Sequence, residues 1–235
     1  MKILIVLPAY NEAKILAGNV ERIVDWCRLN LEIDWQLTIA DNASTDETAA
    51  IGQALAEKYS QVNYFFISQA GKGAAIVESW RRFAADIYCF MDADLATDLS
   101  ALPLLIAGIG DGHDIALGNR FDKKSQVTRS MSRWFFSYGY AWAARLLLKT
   151  KIQDLPCGFK AINQKVKADI LPQVINTKWF FDSELVIRAE KAGYKIAAIP
   201  VNWRDPQVST DKSRVNPLAV AAAYLKELIK LRKIL

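Results

Sequence analysis

Five short, mostly apolar runs, separated by four stretches of helical character, constrain the fold of this 235-residue chain more than any other feature. Ile3–Leu7, Trp35–Ala40, Val62–Ile67, Ile87–Met91 and Asp114–Leu117 read as strands. Runs without a polar face suit strands buried on both sides, as in parallel sheets. Helices are expected at about Glu12–Leu29, from a Ser44 or Thr45 cap to Tyr59, from GKGAA to near Ala84, and at Leu99–Ile109. The order βαβαβαβαβ predicts an open, doubly wound α/β sheet with helices on both faces. Ligands of such sheets sit beyond the carboxyl ends of the strands. Here those ends carry PAYNE, DNAS, GKG, DAD and GNRF, so polar and glycine-containing segments gather on one edge.

The second half has a different rhythm. Arg129–Lys149 reads as a helix containing the aromatic segment WFFSYGYAW. QDLPCGFKAI follows, then a helix near Lys165–Leu171, a helix over KWFFDSELVIRAEKAG and a strand over YKIAAIPVNW. No linker, repeat or low-complexity block interrupts it. The expected organisation is one domain over residues 1–215 and a C-terminal amphipathic helix over 216–235.

A hydrophobic content of 52% against 23% charged residues implies a packed core rather than disorder. The net charge of +5 suits nucleic acid, an anionic membrane or a phosphate-rich substrate. The basic residues are scattered and form no nucleic-acid motif, which argues against the first. Three cysteines, Cys27, Cys89 and Cys157, are too few for a disulfide scaffold and read as reduced thiols of a cytoplasmic protein. MKILIVLPAYNE lacks the features of a signal peptide, and no run reaches the ~20 apolar residues of a spanning helix. Any membrane contact is expected to be peripheral.

The chemistry concentrates in the strand-end segments. Asp92 and Asp94 close an apolar strand, and clustered carboxylates are costly there unless a cation joins them. A hard divalent ion takes one or two carboxylates plus substrate phosphates. Spacing alone favours a solvated acidic loop or a helix-start charge pair near Asp98; the place after a buried strand, facing the other loops, favours the cation. Lys72 lies between Gly71 and Gly73 at a helix start, where backbone N–H groups and a lysine suit an anion. The segment is neither a Walker A loop nor a dinucleotide fingerprint; a plain glycine turn is the other reading. Arg120 in GNRF reads either as a phosphate clamp or as a surface arginine. The single histidine, His113, sits in a turn, so no Ser/His/Asp triad is expected, and Cys157 reads as a packing residue.

Together LPAYNE, Asp41 after the second strand, GKG and DAD resemble the inverting glycosyltransferases of family 2, which have the GT-A fold, a Rossmann-like and mostly parallel sheet. GNRF, DLPCGFKAI, WFFDSEL and IPVNW narrow the resemblance to the polyisoprenyl-phosphate hexose synthases, especially the dolichyl-phosphate β-glucosyltransferase type, with mannose synthases as near relatives. It covers about Ile3 to Asn216. The resemblance implies that Pro8, Ala9, Tyr10 and Glu12 line the nucleotide base, that Asp41 binds base or ribose, and that Lys72 and Ala93 lie near the donor. It implies Mg²⁺ or Mn²⁺ on Asp92 and Asp94, an acceptor phosphate near Arg120, Arg129 and Arg133, and Asp182 and Glu184 near the transferred sugar. Lys212, Ser213 and Arg214 resemble a mobile loop that closes on the donor. Asn42-Ala43 replaces the frequent Asp-Gly, and Ala96 stands where mannose synthases carry a metal-binding glutamine. The membrane-spanning C-terminal regions of some relatives have no counterpart here.

The implied reaction moves a hexose, glucose first, from UDP-glucose or GDP-mannose to a polyprenyl phosphate at the cytoplasmic face of a membrane. Trp134–Leu148 and the tail carry the aromatic, leucine and lysine patterns of interfacial helices. A homodimer, a non-lipid acceptor and a catalytically silent sugar-nucleotide binder stay open as other readings.

Overall fold

The computed structural model describes residues 1–205 and 217–235; of Ser132, Arg133 and residues 217–221 it describes the backbone alone. A seven-stranded sheet has the order β3-β2-β1-β4-β7-β5-β8. Its strands are β1 (Lys2–Ala9), β2 (Asp34–Asn42), β3 (Val62–Ile67), β4 (Ile87–Met91), β5 (Ile115–Asn119), β7 (Phe159–Asn163) and β8 (Ile196–Pro200). All neighbours run parallel except β7, which lies antiparallel between β4 and β5. The strand β7 is absent from the sequence reading. It begins in the QDLPCGFKAI segment, and a lysine as the second of its five residues breaks the apolar pattern.

Alternation along β1 builds two cores. Ile3, Ile5 and Leu7 pack with Leu16, Val20, Ile23 and Cys27 of α1 (Ala13–Asn30). Leu4 and Val6 point the other way, into a cluster with Ile76 and Trp80 of α3 (Lys72–Arg82). Successive strand side chains take opposite faces, so a fully apolar strand needs helices on both. Helices α2 (Thr48–Lys58) and α4 (Leu102–Gly110) follow β2 and β4. Helices α5 (Met131–Leu148), α6 (Gln164–Asp169), α7 (Phe181–Lys191) and α8 (Pro217–Ile234) complete the layers.

Several boundaries differ from expectation. Ser44 and Thr45 do not cap α2. Ser44 Oγ accepts from the Asn11 N–H at 3.0 Å, and Asp46 instead accepts from the Thr48 N–H at 3.0 Å. The last expected strand divides. Its first part is β8, and Asn202–Arg204 forms β9, paired with β6 (Gln126–Thr128) in a separate two-stranded sheet. The C-terminal helix packs on the domain: Leu228 and Leu231 are buried in the second core, and Tyr224 meets the Tyr140 ring of α5 edge-on at 5.2 Å. The tail, whose pattern suits an interfacial helix, thus packs at least one side on the domain.

Trp80 organises the second core. It is fully buried, with the Tyr88, Phe90 and Phe181 rings 6.0–6.2 Å away. It therefore joins α3, β4 and α7, the elements that carry Lys72, Asp92 and Asp182. Truncating a buried tryptophan costs about 3–5 kcal/mol. Trp80→Ala is expected to lose that much in urea unfolding; a loss under about 1 kcal/mol, the scale of a surface change, would contradict this role.

Candidate active site

The strand pleat does not continue past Met91. The chain turns: Leu95 takes a φ of +50°, its N–H reaches the Asp92 carbonyl at 3.2 Å, and Asp94 Oδ1 accepts from the Ala96 N–H at 3.0 Å. Asp92 and Asp94 are thus placed by a turn and not by strand alternation. Asp92 lies over Gly158, where a Cβ would stand 1.9 Å from its Oδ2. Only glycine leaves the carboxylate in that place.

Lys72 is the hub. Its Nζ lies 2.7 Å from Asp92 Oδ1 and 3.1 Å from Asp182 Oδ2, and the side chain is 8% exposed. Burial works against the ammonium, but Asp182 and Asp92 outweigh it and hold its pKa above the ordinary lysine value. Two backbone contacts fix this helix start. The Gly71 N–H donates to Asn42 Oδ1 at 2.7 Å, and the Ala74 N–H donates to the Thr177 carbonyl at 2.9 Å. Gly71 has a φ of +152°, and a Cβ there would meet the Thr177 oxygen at 2.2 Å. The glycines of GKG thus serve close backbone approach.

An excess of negative charge faces this hub. Burial raises the Asp94 carboxyl, and Asp92 adds to the shift. Glu12, at the start of α1, rises to about 7, first through burial and then through Asp94, Asp46 and Asp92. Such a set of hard oxygen donors fits a divalent cation. Among the described residues no three or more His, Cys, Asp or Glu side chains converge on one point. Asp92 and Asp94 would therefore hold a cation together with oxygens of a bound substrate, the mode usual for Mg²⁺ with phosphates.

The remaining sequence-derived residues divide. Tyr10 is exposed at the strand-end edge, beside Pro8 and the buried Ala9. Ala93 is buried, and its carbonyl accepts from Asn19 Nδ2 at 2.8 Å. Asp41 is fully buried, with Oδ1 accepting from the Ser44 N–H and Oδ2 from the Tyr64 hydroxyl, so it shapes the loop after β2. Ala43 in that loop has a φ of +59°, the conformation its relatives' glycine would take freely and an alanine takes at a cost of about 1–2 kcal/mol. Asp182 joins Lys72, while Glu184 is turned to scaffolding. Its oxygens accept from the Ile175 and Asn176 N–H groups and from Arg188 Nε at 2.8–3.1 Å.

Two arginines form a second subsite. Arg120 makes a bidentate pair with the fully buried Asp154, at 2.8 Å from Nε and 2.7 Å from Nη2. Arg129 lies 4.5 Å from the Trp134 ring and 4.9 Å from the Trp203 ring, and Trp203 also meets Arg120 at 5.4 Å. Arg129 Nη1 donates to Ser137 Oγ, but its buried Nε and Nη2 have no hydrogen-bond partner. Burial first, and then Arg120, lower its pKa to about 10. Guanidinium donors left open in this way suit a carboxylate or phosphate oxygen. The Arg133 side chain and Lys212, Ser213 and Arg214 lie outside the described residues. Asp154, Lys160 and Trp203 were not singled out from sequence, although each sits in a motif that was, and Asn42 was noted only as a departure from the family pattern. His113 contacts the Gly108 carbonyl at a distant turn, and burial pushes the Cys157 thiol up to about 11, which leaves no thiolate.

Glu12 supplies a pH dependence. Its folded pKa of about 7 exceeds the model-compound 4.5, so the native state binds the proton more tightly and Glu12 opposes folding once ionised. Its contribution is favourable below about 4.5 and fades as pH rises through about 7. Glu12→Gln is expected to flatten the fall in melting temperature between pH 5 and pH 8 measured without divalent metal; an unchanged slope would refute the assignment.

Residues 4–171 match the glycosyl transferase family 2 profile. Glycosyltransferase AglD of Haloferax volcanii is 30% identical over 206 residues, covering 86% of this chain and 33% of that protein. The dolichyl-phosphate beta-glucosyltransferase of Saccharomyces cerevisiae is 25% identical over 248 residues, covering 97% of this chain and 73% of that one. The chain thus spans about a third of the length of the first relative. The crystal structure of glucosyl-3-phosphoglycerate synthase from Mycobacterium tuberculosis, in complex with Mn²⁺, uridine diphosphate and glucosyl-3-phosphoglycerate, superposes with a TM-score of 0.67 at 19% identity, over 98% of this chain and 78% of that one. That likeness shows the shared GT-A architecture. The chain belongs to glycosyl transferase family 2 and is a glycosyltransferase.

Proposed function

We propose that the protein transfers glucose from a sugar nucleotide to a polyprenyl phosphate, dolichyl or undecaprenyl, with inversion. One observation carries this reading: the Asp92 and Asp94 pair stands within electrostatic reach of Arg120, and Arg129 beside it keeps two buried donors without a hydrogen-bond partner. Asp92 and Asp94 would receive the donor diphosphate with Mg²⁺ or Mn²⁺, and Arg129 beside Arg120 would receive the acceptor phosphate. The likeness to the yeast dolichyl-phosphate beta-glucosyltransferase over 97% of the chain supports the lipid acceptor. The Mn²⁺ and uridine diphosphate in the mycobacterial synthase complex support the metal and the base.

In the reaction an acceptor phosphate oxygen forms a bond to the anomeric carbon as the bond to the diphosphate oxygen breaks. The acceptor is already ionised at neutral pH, so no side chain has to remove a proton. The remaining requirements are positioning and neutralisation of the leaving diphosphate. Lys72 supplies a fixed positive charge at the donor side, and a bound divalent ion adds Lewis-acid charge there. Arg129 would offer its open Nε and Nη2 to the acceptor, while Asp154 holds Arg120 in place beside it. Asp182 would face the transferred sugar. Glu184 has no oxygen left for a proton-transfer role.

The membrane contact would be made by α5. Met131, Phe135, Tyr138, Trp142 and Leu146 form one stripe, each residue between 58% and 87% exposed. No acidic residue occurs in α5, and Arg145, Lys149 and Lys151 flank its C-terminal half. Aromatic and basic residues so arranged suit an anionic lipid interface. No helix among the described residues is long and apolar enough to cross a membrane, so the contact would be peripheral, at the cytoplasmic face.

Calorimetric titration with UDP-glucose and GDP-mannose, each with Mn²⁺ and then with EDTA, tests the donor site. We expect metal-dependent binding of UDP-glucose, weakened at least about tenfold in Asp94→Ala, the loss of one charged contact of about 1.4 kcal/mol or more. Preference for GDP-mannose would reassign the sugar, and binding indifferent to metal would defeat the acidic-pair reading. Flotation with anionic liposomes tests the surface. Trp142→Asp with Phe135→Asp is expected to abolish co-flotation while leaving donor binding intact; flotation unchanged by the pair would remove α5 from the membrane reading.

A further inference from the structure

The geometry points to Lys160 as a positioning residue for the transfer, one that fixes Lys72 through Asp182. Lys160 is the second residue of β7, paired across the sheet with Phe90 and Leu117, and is completely buried. A lysine inside a buried strand is costly to desolvate and persists only where something compensates. Its Nζ donates to the Cys157 carbonyl and lies 3.7 Å from Asp182 Oδ1. That oxygen is buried and has no hydrogen-bond partner.

The result is a row of alternating charge, Asp92–Lys72–Asp182–Lys160, with steps of 2.7, 3.1 and 3.7 Å. Its members come from the turn after β4, from α3, from α7 and from β7. Burial lowers the Lys160 pKa, and the Asp182 carboxylate opposes that. Asp182 has two oxygens, and each faces a different lysine. Lys160 therefore draws part of the Asp182 charge away from Lys72 and leaves the Lys72 ammonium shared toward Asp92, where the donor would lie. Without Lys160 the whole carboxylate charge would act on Lys72 and pull it toward α7. Displacing a charged group by an ångström costs catalysis steeply.

This inference rests on the transfer reading, and the experiment separates the two. Turnover of UDP-glucose with Mn²⁺ and undecaprenyl phosphate is measured for the full chain and for Lys160→Met, Asp182→Asn and the double variant. Lys160→Met is expected to lower kcat about 100-fold with the donor KM nearly unchanged. A residue that only held the fold would move unfolding and leave that split absent. In the Asp182→Asn background the same substitution is expected to change kcat less than about threefold, because both changes break one contact. A wild-type kcat in Lys160→Met, or losses that multiply in the double variant, overturns the inference while the transfer reading stands. Should Lys160→Met alone not fold, Asp182→Asn against the double variant, which removes both charges, gives the same decision. No turnover by the wild-type chain defeats the transfer reading, and this inference with it.

Discussion

The contact on which the site depends is the Lys72 ammonium held between Asp92 and Asp182. These three residues come from a loop, a helix start and a second helix far apart in sequence. Their approach requires Gly71, Gly73 and Gly158 to be bare. A Cβ on Gly73 would meet Phe181, the first residue of α7, at 2.6 Å, and one on Gly158 would displace Asp92. Packing of α3 against α7 and seating of Asp92 on β7 are therefore steric conditions for the ion pairs, and Trp80 supplies the apolar side of the same junction. A buried pair of this kind adds little net stability, because desolvation offsets the attraction. What it provides is geometry.

The site is also held away from electrostatic balance. Glu12, Asp92 and Asp94 gather negative charge on one side, and Arg120 and Arg129 gather positive charge on the other. The arginine side is partly resolved, since Asp154 satisfies Arg120 with a bidentate pair. Arg129 has two aromatic faces and one hydroxyl, which stabilise a guanidinium less than a carboxylate does. The shifted pKa values of Glu12, Asp94 and Arg129 report this imbalance in each case, with burial as the largest cause. An imbalance with opposite signs in two adjacent places is what receiving a metal diphosphate and a separate phosphate would require.

Periodicity made most of the sheet legible, because strands buried on both faces leave continuous apolar runs. The exception is instructive. The strand β7 carries Lys160 as its second residue, and a charge inside a five-residue run hides the strand from a hydrophobic pattern. The same lysine is a member of the charge row, so the feature that concealed the element is the one that ties it to the site. Asp92, Lys72 and Asp182 were legible as chemistry-bearing residues, but their mutual contact was not, since it depends on α7 crossing over α3. The cap of α2 was misread for a local reason. Ser44 has the right side chain and spends it on Asn11, which leaves Asp46 to satisfy Thr48. Asp41 and Glu184 show the converse limit: an acid beside a site in sequence can be wholly committed to backbone and neighbour groups once folded.

The two ends of α5 connect the surface with the centre. Its outer stripe is apolar and exposed, whereas its inner face carries Tyr140, whose hydroxyl donates to Ser183 Oγ at 2.6 Å, next to Asp182. Tyr140 also contacts Tyr224 of α8, and the Tyr224 hydroxyl reaches the Trp179 carbonyl at 3.2 Å, beside the Lys72 ammonium that stands 5.5 Å from the Trp179 ring. At its N-terminal end α5 supplies Trp134, which stacks on Arg129 and packs against Phe121 and Tyr138. One rigid helix thus touches both subsites while presenting its apolar side outward. A lipid-borne phosphate delivered along that outer side would arrive at the arginine end without crossing the donor carboxylates. The orientation of α5 is therefore part of the site's electrostatics and, on the proposed reading, would also set its contact with a surface.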